Sequence, residues 1–405
     1  MTAVLRGVRI LEVAEHTFVP AASAALADLG ADVIKVEHVE RGDAMRGLAS
    51  TGVITNVGNV HALLEHSNRG KRSIGLDLTS EDGLAVLHKL IAISDVFLTN
   101  KLPGVRAKLH IDVADVRAHN ENIIYVRGTG QGNFGPDADK GSYDSLAFWA
   151  RAGVAVGCTP QEFPGVIGPP GPGFGDSIGA MTIAGGIMGA LFHRERTGEA
   201  TIVDVSLLGT GMWAMGQAIA LSALHGTPWK PPAASQGMRN PLTGNYATAD
   251  ERTLAFTCLQ AGKYWGELCH IVGHPELATD ERFADHASLL QNGSVAVEIL
   301  KGVFLTRTLE EWRSILDPFT GQWAVVQNTV ELANDPQSVA NGYLQDCTTS
   351  DGTPFRLVAV PVQYDEQPAP AHRSPEFNEH GDEILQEIGL DWDAIIDLKV
   401  RGVVA

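Results

Sequence analysis

"VRILEVAEHTFVPAASAALADLGADVIKVE", residues 8–37, is the stretch on which the fold turns. Its opening, VRILEVA at 8–14, has the length and apolar continuity of a strand buried on both faces. PAASAALADLG at 20–30 has Pro in its first turn and Gly at its end, the punctuation of a helix, and DVIKVE at 32–37 is a second strand. Strand, helix and strand in succession form a βαβ unit, and such units build parallel sheets.

The alternation continues outward from this unit. A helix over 80–94, a strand at 95–99 (DVFLT), a helix over 112–119, a strand at 123–127 (IIYVR), a helix over 177–195 and a strand at 200–207 (ATIVDVSL) are expected. The fold class is therefore α/β, with a Rossmann-like parallel-sheet large domain over 1–207. Residues 208–225 read as one long apolar helix and 226–243 as a Pro/Gly-rich linker, so 208–243 connects two domains. A hairpin at 244–258, around Ala249-Asp250-Glu251, and helices at 263–272, 285–305 and 309–316 predict a smaller α+β domain over 244–345. The remainder, 346–405, holds a strand at 355–363, an extended Pro-rich run and a helix over 376–388.

Composition narrows the function. At 405 residues the chain exceeds what one core fills, and 44% apolar residues suffice for two. A net charge of −18 repels phosphate backbones and anionic lipid, which argues against nucleic acid as a partner. The N-terminal apolar run is too short and interrupted for a signal peptide, and no uncharged run reaches the length of a membrane span. Cys158, Cys258, Cys269 and Cys347 stand far apart, suggesting neither zinc nor disulfides and a reducing cytoplasm. No H-E-x-x-H or G-x-S-x-G is present, so metallohydrolase and serine-hydrolase chemistry have no support and no metal is expected.

Several motifs each admit two readings. The turn after the first strand is EHTFVPA, where a nicotinamide cofactor would require G-x-G-x-x-G, so that cofactor is not expected. GTGQGNFG at 128–135 is either a flexible turn or the wall of a ligand cleft. Arg69, Lys71 and Arg72 in NRGKRS form either a solvated loop or a phosphate clamp. Arg41 in ERGD and Lys108 in PGVRAKL follow strand C-termini, where open α/β sheets bind ligands, and together these cations suggest a polyphosphate such as coenzyme A. Asp176 in GPGFGDSIGAMTIAGG is either the N-cap of the following helix or a carboxylate reached by a bulky electrophile; glycines at 171, 173 and 175 clear the approach.

Taken together, LRGVRILEVA, LADLGADVIKVE, NRGKRSIGLDL, DVFLTNKLPGV, GSYDSLAF, GDSIGAMTIAGGIMGALFHRERTGEATIVDVSLL and EHGDEILQEIGL resemble the class III CoA-transferase family, nearly end to end. The resemblance implies an interlocked homodimer in which the C-terminal segment 346–405 completes each large domain. It also implies that Asp176 is a nucleophile and that Arg41, Arg72, Leu76, Asn100, Lys108 and Leu109, with Asp144 nearby, lie on or beside the CoA nucleotide site. No tightly bound cofactor is implied; acyl-CoA and a carboxylic acid are the substrates. The racemase branch of the family carries G-H-D where this chain reads Gly141-Ser142-Tyr143-Asp144. Tyrosine, which titrates near 10, is a poor base but a good donor, so transfer is favoured over racemisation. Thr17 falls where the formyl-transferring branch has a Gln near the thioester, with His16 and Phe18 beside it, so a bulkier acyl group than formyl is expected. The runner-up is a 2-methylacyl-CoA racemase using Asp176 with His16; a non-enzymatic CoA-binding protein requires Asp176 to be a plain N-cap.

Overall fold

The computed structural model of the chain describes residues 2–52, 56–231 and 240–405. Six strands, β1 (Arg9–Val13), β2 (Asp32–His38), β3 (Arg72–Leu76), β4 (Val96–Thr99), β5 (Ile124–Thr129) and β6 (Ile202–Ser206), form one sheet in the order β3-β2-β1-β4-β5-β6. Every neighbouring pair is parallel. This is the doubly wound order, in which the winding direction reverses between β1 and β4 and leaves a crevice beyond their C-terminal ends.

Helices α1 (Phe18–Asp28), α2 (Ala62–Asn68), α3 (Glu81–Ala92), α4 (Pro103–Lys108), α5 (Val113–Arg117), α6 (Val154–Cys158) and α7 (Phe174–Thr197) follow in chain order between the strands. Because strand side chains alternate, each strand serves two cores. Ile10, Val33, Leu98 and Ile124 pack with α1 and α7, while Leu11, Ile34, Phe97 and Tyr125 pack with α3 and the C-terminal helices Gly381–Glu387 and Trp392–Val400. Both faces are thus covered, which is why these strands read as continuous apolar runs. α7 meets α1 closely because Gly179 has no side chain: a Cβ there would stand 2.4 Å from the Phe18 ring.

The chain divides into two compact units, one of residues 1–159, 165–230 and 336–405, the other of residues 160–164 and 231–335. The smaller unit has a three-stranded antiparallel sheet, Thr243–Ala247, Thr253–Thr257 and Trp323–Val325, with the expected hairpin between the first two. Its own core gathers Tyr246, Phe256, Trp265, Phe304 and Trp312. The C-terminal segment ties into the larger unit through backbone bonds from His380 to Ser73 (3.0 Å) and from Asp77 to Val403 (2.9 Å).

Three expected helices differ in extent. The run 208–225 breaks at Met215 into Leu207–Ala214 and Gly216–His225, bent by 70°, where Gly216 weakens the helical preference. The run 285–305 breaks at Asn292, whose amide donates to the carbonyls of Arg282 (3.1 Å) and Ser288 (3.0 Å). The helix expected over 376–388 begins only at Gly381, since Asn378 takes a left-handed φ of 57°. A π-helix at Ser145–Arg151 had no sequence signal. Linker residues 232–239 lie outside the described residues. α7, at 24 residues, is long and apolar enough by composition to cross a membrane; here Ala180, Ile183, Ala184 and Ile187 are buried in the core it shares with α1.

Candidate active site

The crevice at the β1–β4 reversal is a cleft of about 440 Å³. Residues following β1 (Glu15, His16, Phe18) and β4 (Asn100–Pro103), with Gly128–Gly130 at the end of β5, form its walls; Tyr143 and Asp176 reach it from beyond the sheet. A second hollow of about 290 Å³, lined by Leu76, Lys108 and Leu109 among others, shares Glu15, Arg41, Lys101 and Val105 with the first. The two are ends of one elongated cleft: Arg41 and Lys101 line both, Lys108 lines the second with Glu37 and Asp77, and Asp176 lies in the first.

Asp176 does not cap α7. The N-cap is Gly173, in the left-handed region at φ 65°, and Asp176 lies in the helix's first turn. The capping carboxylate comes from Asp144, whose Oδ1 accepts the Gly175 N–H at 3.1 Å. Asp144 therefore faces the helix start and does not line either end of the cleft, contrary to its expected place beside CoA. Relieved of the capping role, Asp176 is half-buried, and among the described residues no cation pairs with it. Burial first, and the Asp144 charge second, push its carboxyl up to about 7. The positive end of α7 favours the ionised form and works against both. Gly173 suits this turn because of its left-handed φ and because a Cβ there would stand 3.2 Å from the Thr17 methyl.

Tyr143 and His16 share the cleft with Asp176, their rings edge to face with centroids 5.8 Å apart. The His16 imidazole thus faces the cleft. Asn100 brackets Glu15, accepting its N–H at 3.2 Å and donating to its carbonyl at 2.7 Å. Thr17 occupies the N-cap position of α1 and does not line the cleft, although its methyl adjoins the start of α7. Arg41, Lys108, Leu76 and Leu109 all line the second hollow. Lys101 was missed: it lines both ends and pairs with Glu15 at 3.0 Å. Of GTGQGNFG, Gly128–Gly130 form cleft wall.

The NRGKRS cluster is not a phosphate clamp. Arg72 opens β3, at the end of the sheet opposite the cleft, and bonds Asp32 (2.7 and 2.9 Å) and Glu387 (2.6 Å). Arg69 pairs with Asp28 at 2.8 Å, and Lys71 is fully buried against Glu12 at 2.8 Å. These cations neutralise acids inside the large unit, since a charge leaves water only when paired. The sequence held one signal of this, a charge set among apolar residues in each strand: Glu12 in β1 and Lys35 in β2, which stand opposite one another in the sheet and pair at 2.8 Å. Among the described residues no group of three or more His, Cys, Asp or Glu is arranged to hold a metal ion.

A crevice at the switch point that carries Arg41, Lys101 and Lys108 along its walls and, at Asp176, a carboxylate unpaired among the described residues suits a long substrate with phosphates and a reactive terminus. Comparison with known proteins agrees. The family model for CoA-transferase family III matches residues 5–381. The (R)-2-hydroxy-4-methylpentanoate CoA-transferase of Clostridioides difficile is 28% identical, with 99% of each chain covered. The cinnamoyl-CoA:phenyllactate CoA-transferase of Clostridium sporogenes is 29% identical over 98% of this chain and 96% of that one. A crystal structure of a CAIB/BAIF family protein from Brucella suis superposes with a TM-score of 0.81 at 26% identity, covering 96% of this chain and 100% of that one. With the fold, the cleft and the relatives in accord, the chain belongs to CoA-transferase family III and is a class III CoA-transferase.

Proposed function

We propose that the protein moves CoA between carboxylic acids through covalent intermediates on Asp176. An Asp176 oxygen attacks the acyl-CoA carbonyl; the C–S bond breaks, leaving a mixed anhydride and CoA thiolate. The thiolate attacks the Asp176 carbonyl and expels the donor acid as its carboxylate, giving an aspartyl-CoA thioester. The acceptor carboxylate attacks that thioester in turn, and the returning thiolate takes the new acyl group and frees Asp176. No net proton is exchanged, which suits a site built around a carboxylate and a phenol.

The observation that carries this reading is Asp176 itself: half-buried in the first turn of α7, without a cation partner among the described residues, and pushed up to about 7. Poised near neutrality, it is a stronger nucleophile than an ordinary carboxylate yet about half ionised at pH 7 and largely so at pH 8. Arg41 and Lys108 hold the CoA phosphates at the other end of the cleft. Tyr143 serves as a positioning donor to the thioester oxygen. The interlocked homodimer is part of the proposal, as is residence in a reducing cytoplasm, where the free thiols of the four cysteines persist.

The relatives named for branched 2-hydroxy and aryl acids direct the first test. 4-Methylpentanoyl-CoA, cinnamoyl-CoA and succinyl-CoA are offered with (R)-2-hydroxy-4-methylpentanoate, phenyllactate and glutarate, and products are separated by mass. Transfer that Asp176→Asn abolishes supports the reading; transfer retained by that variant overturns it. In heavy water no α-deuterium should enter a 2-methylacyl-CoA, because Tyr143 stands where racemisation needs a base.

A further inference from the structure

His16 holds a positive φ of 70°, and of the non-glycine residues so held among those described it alone lines the Asp176 cleft. An L-residue stays in that region only where its surroundings impose it. Asn100 fixes the preceding residue through both backbone groups of Glu15. The second constraint comes from Asp43, just past β2: its Oδ1 accepts the His16 N–H at 3.0 Å and the Met45 N–H at 2.8 Å.

Asp43 is itself anchored in the sheet interior. Its Oδ2 pairs with Lys35 Nζ at 2.7 Å, neither side chain exposed, and its N–H donates to Glu37 Oε2 at 2.7 Å. Lys35 in turn holds Glu12 Oε1 (2.8 Å) and the Ala14 carbonyl (3.0 Å), so β1, β2 and the loop that carries His16 are joined by one buried ionic chain. Such a chain costs desolvation that an apolar core would not, and one return on it is a fixed geometry. The geometry fixed here is at the cleft. With the His16 N–H committed to Asp43, the imidazole is left to meet the substrate, edge-on to Tyr143.

We propose that Asp43 is a positioning residue for CoA transfer: its carboxylate holds His16 in the left-handed backbone conformation that keeps the imidazole against Tyr143 in the Asp176 cleft. The proposal rests on the transfer reading above.

A double-mutant cycle tests it. Glycine adopts φ 70° without strain and carries no imidazole to aim, so His16→Gly removes whatever Asp43 positions. Asp43→Asn keeps an acceptor oxygen but not the charge facing Lys35; Asp43→Glu keeps the charge but displaces the oxygens, and serves if the Asn variant does not fold. kcat is measured with 4-methylpentanoyl-CoA and (R)-2-hydroxy-4-methylpentanoate, or the pair selected by the screen above, and the Kd of free CoA alongside. Each single variant should lower kcat by roughly tenfold to a hundredfold, with CoA affinity within about twofold of wild type. The double variant should be no slower than the slower single. If the losses multiply, or if the Asp43 variants keep wild-type kcat, the positioning role is wrong. Loss of the nucleophile reading would show separately, as an active Asp176→Asn protein.

Discussion

Asp176→Asn is expected to stabilise the protein above neutrality while removing its activity. The Asp176 carboxyl is pushed from an ordinary value near 3.8 up to about 7, by burial first and by the Asp144 charge second. At about 1.4 kcal/mol per unit, the ionised form would carry a penalty of about 4 kcal/mol in the folded protein. Water in the open cleft and the positive end of α7 offset part of this, leaving about 1–3 kcal/mol. The sign follows from proton linkage. An acid with a raised folded-state value keeps a proton that the unfolded chain has already released. Its contribution to stability therefore falls as pH rises from about 4 through about 7 and is level beyond. Asparagine is neutral throughout, so the advantage of the variant opens across that window. Urea unfolding followed by tryptophan fluorescence, at pH 5 and pH 8 and equal protein concentration, measures it. A difference that does not change with pH, or an Asn variant less stable at pH 8, would refute the claim that this carboxylate is ionised at a cost.

The same group sets the pH profile: kcat/KM should fall as pH drops below about 7, because the attacking carboxylate must be ionised, and Asp144→Asn should move that limb to lower pH by removing a like charge. Arg41→Ala and Lys108→Ala should each weaken CoA binding several-fold, less so at high salt, in calorimetric titration. Arg72→Ala should leave CoA affinity unchanged and lower unfolding stability by about 1 kcal/mol, since Asp32 and Glu387 lose one of two cation partners and keep Arg9. Gly179→Ala should cost about 1–3 kcal/mol in thermal unfolding, as its methyl would meet the Phe18 ring at 2.4 Å.

The sheet was legible because its strands are buried on both faces, so β1, β2, β4 and β5 each appear as apolar runs with helical punctuation between them. Arg41 and Lys108 were placed by the rule that ligands gather beyond strand C-termini, whereas Leu76, Leu109 and Asn100 came only from the family resemblance. Charges were harder, because sequence shows their number but not their direction. Lys71 meets Glu12 across 59 positions and Arg72 meets Asp32 across 40, so a cluster that looks like a clamp is instead dispersed into the interior. The capping of α7 was hidden in the same way. Asp144 acts on Gly175 from 31 positions upstream, and without that bond Asp176 is the natural cap. Local preference predicts who can cap a helix; packing decides who does.

The central claim is that Asp176 becomes covalently attached to substrate, and peptide mass mapping after reaction tests it most directly. The protein is incubated with an acyl-CoA that the screen shows to be a donor, quenched with hydroxylamine and digested. The account predicts a hydroxamate on Asp176, in the peptide bearing GFGDSIG, that forms only with donor present and is absent from Asp176→Asn. Full transfer activity with that peptide unmodified, or a hydroxamate on another residue, would contradict it.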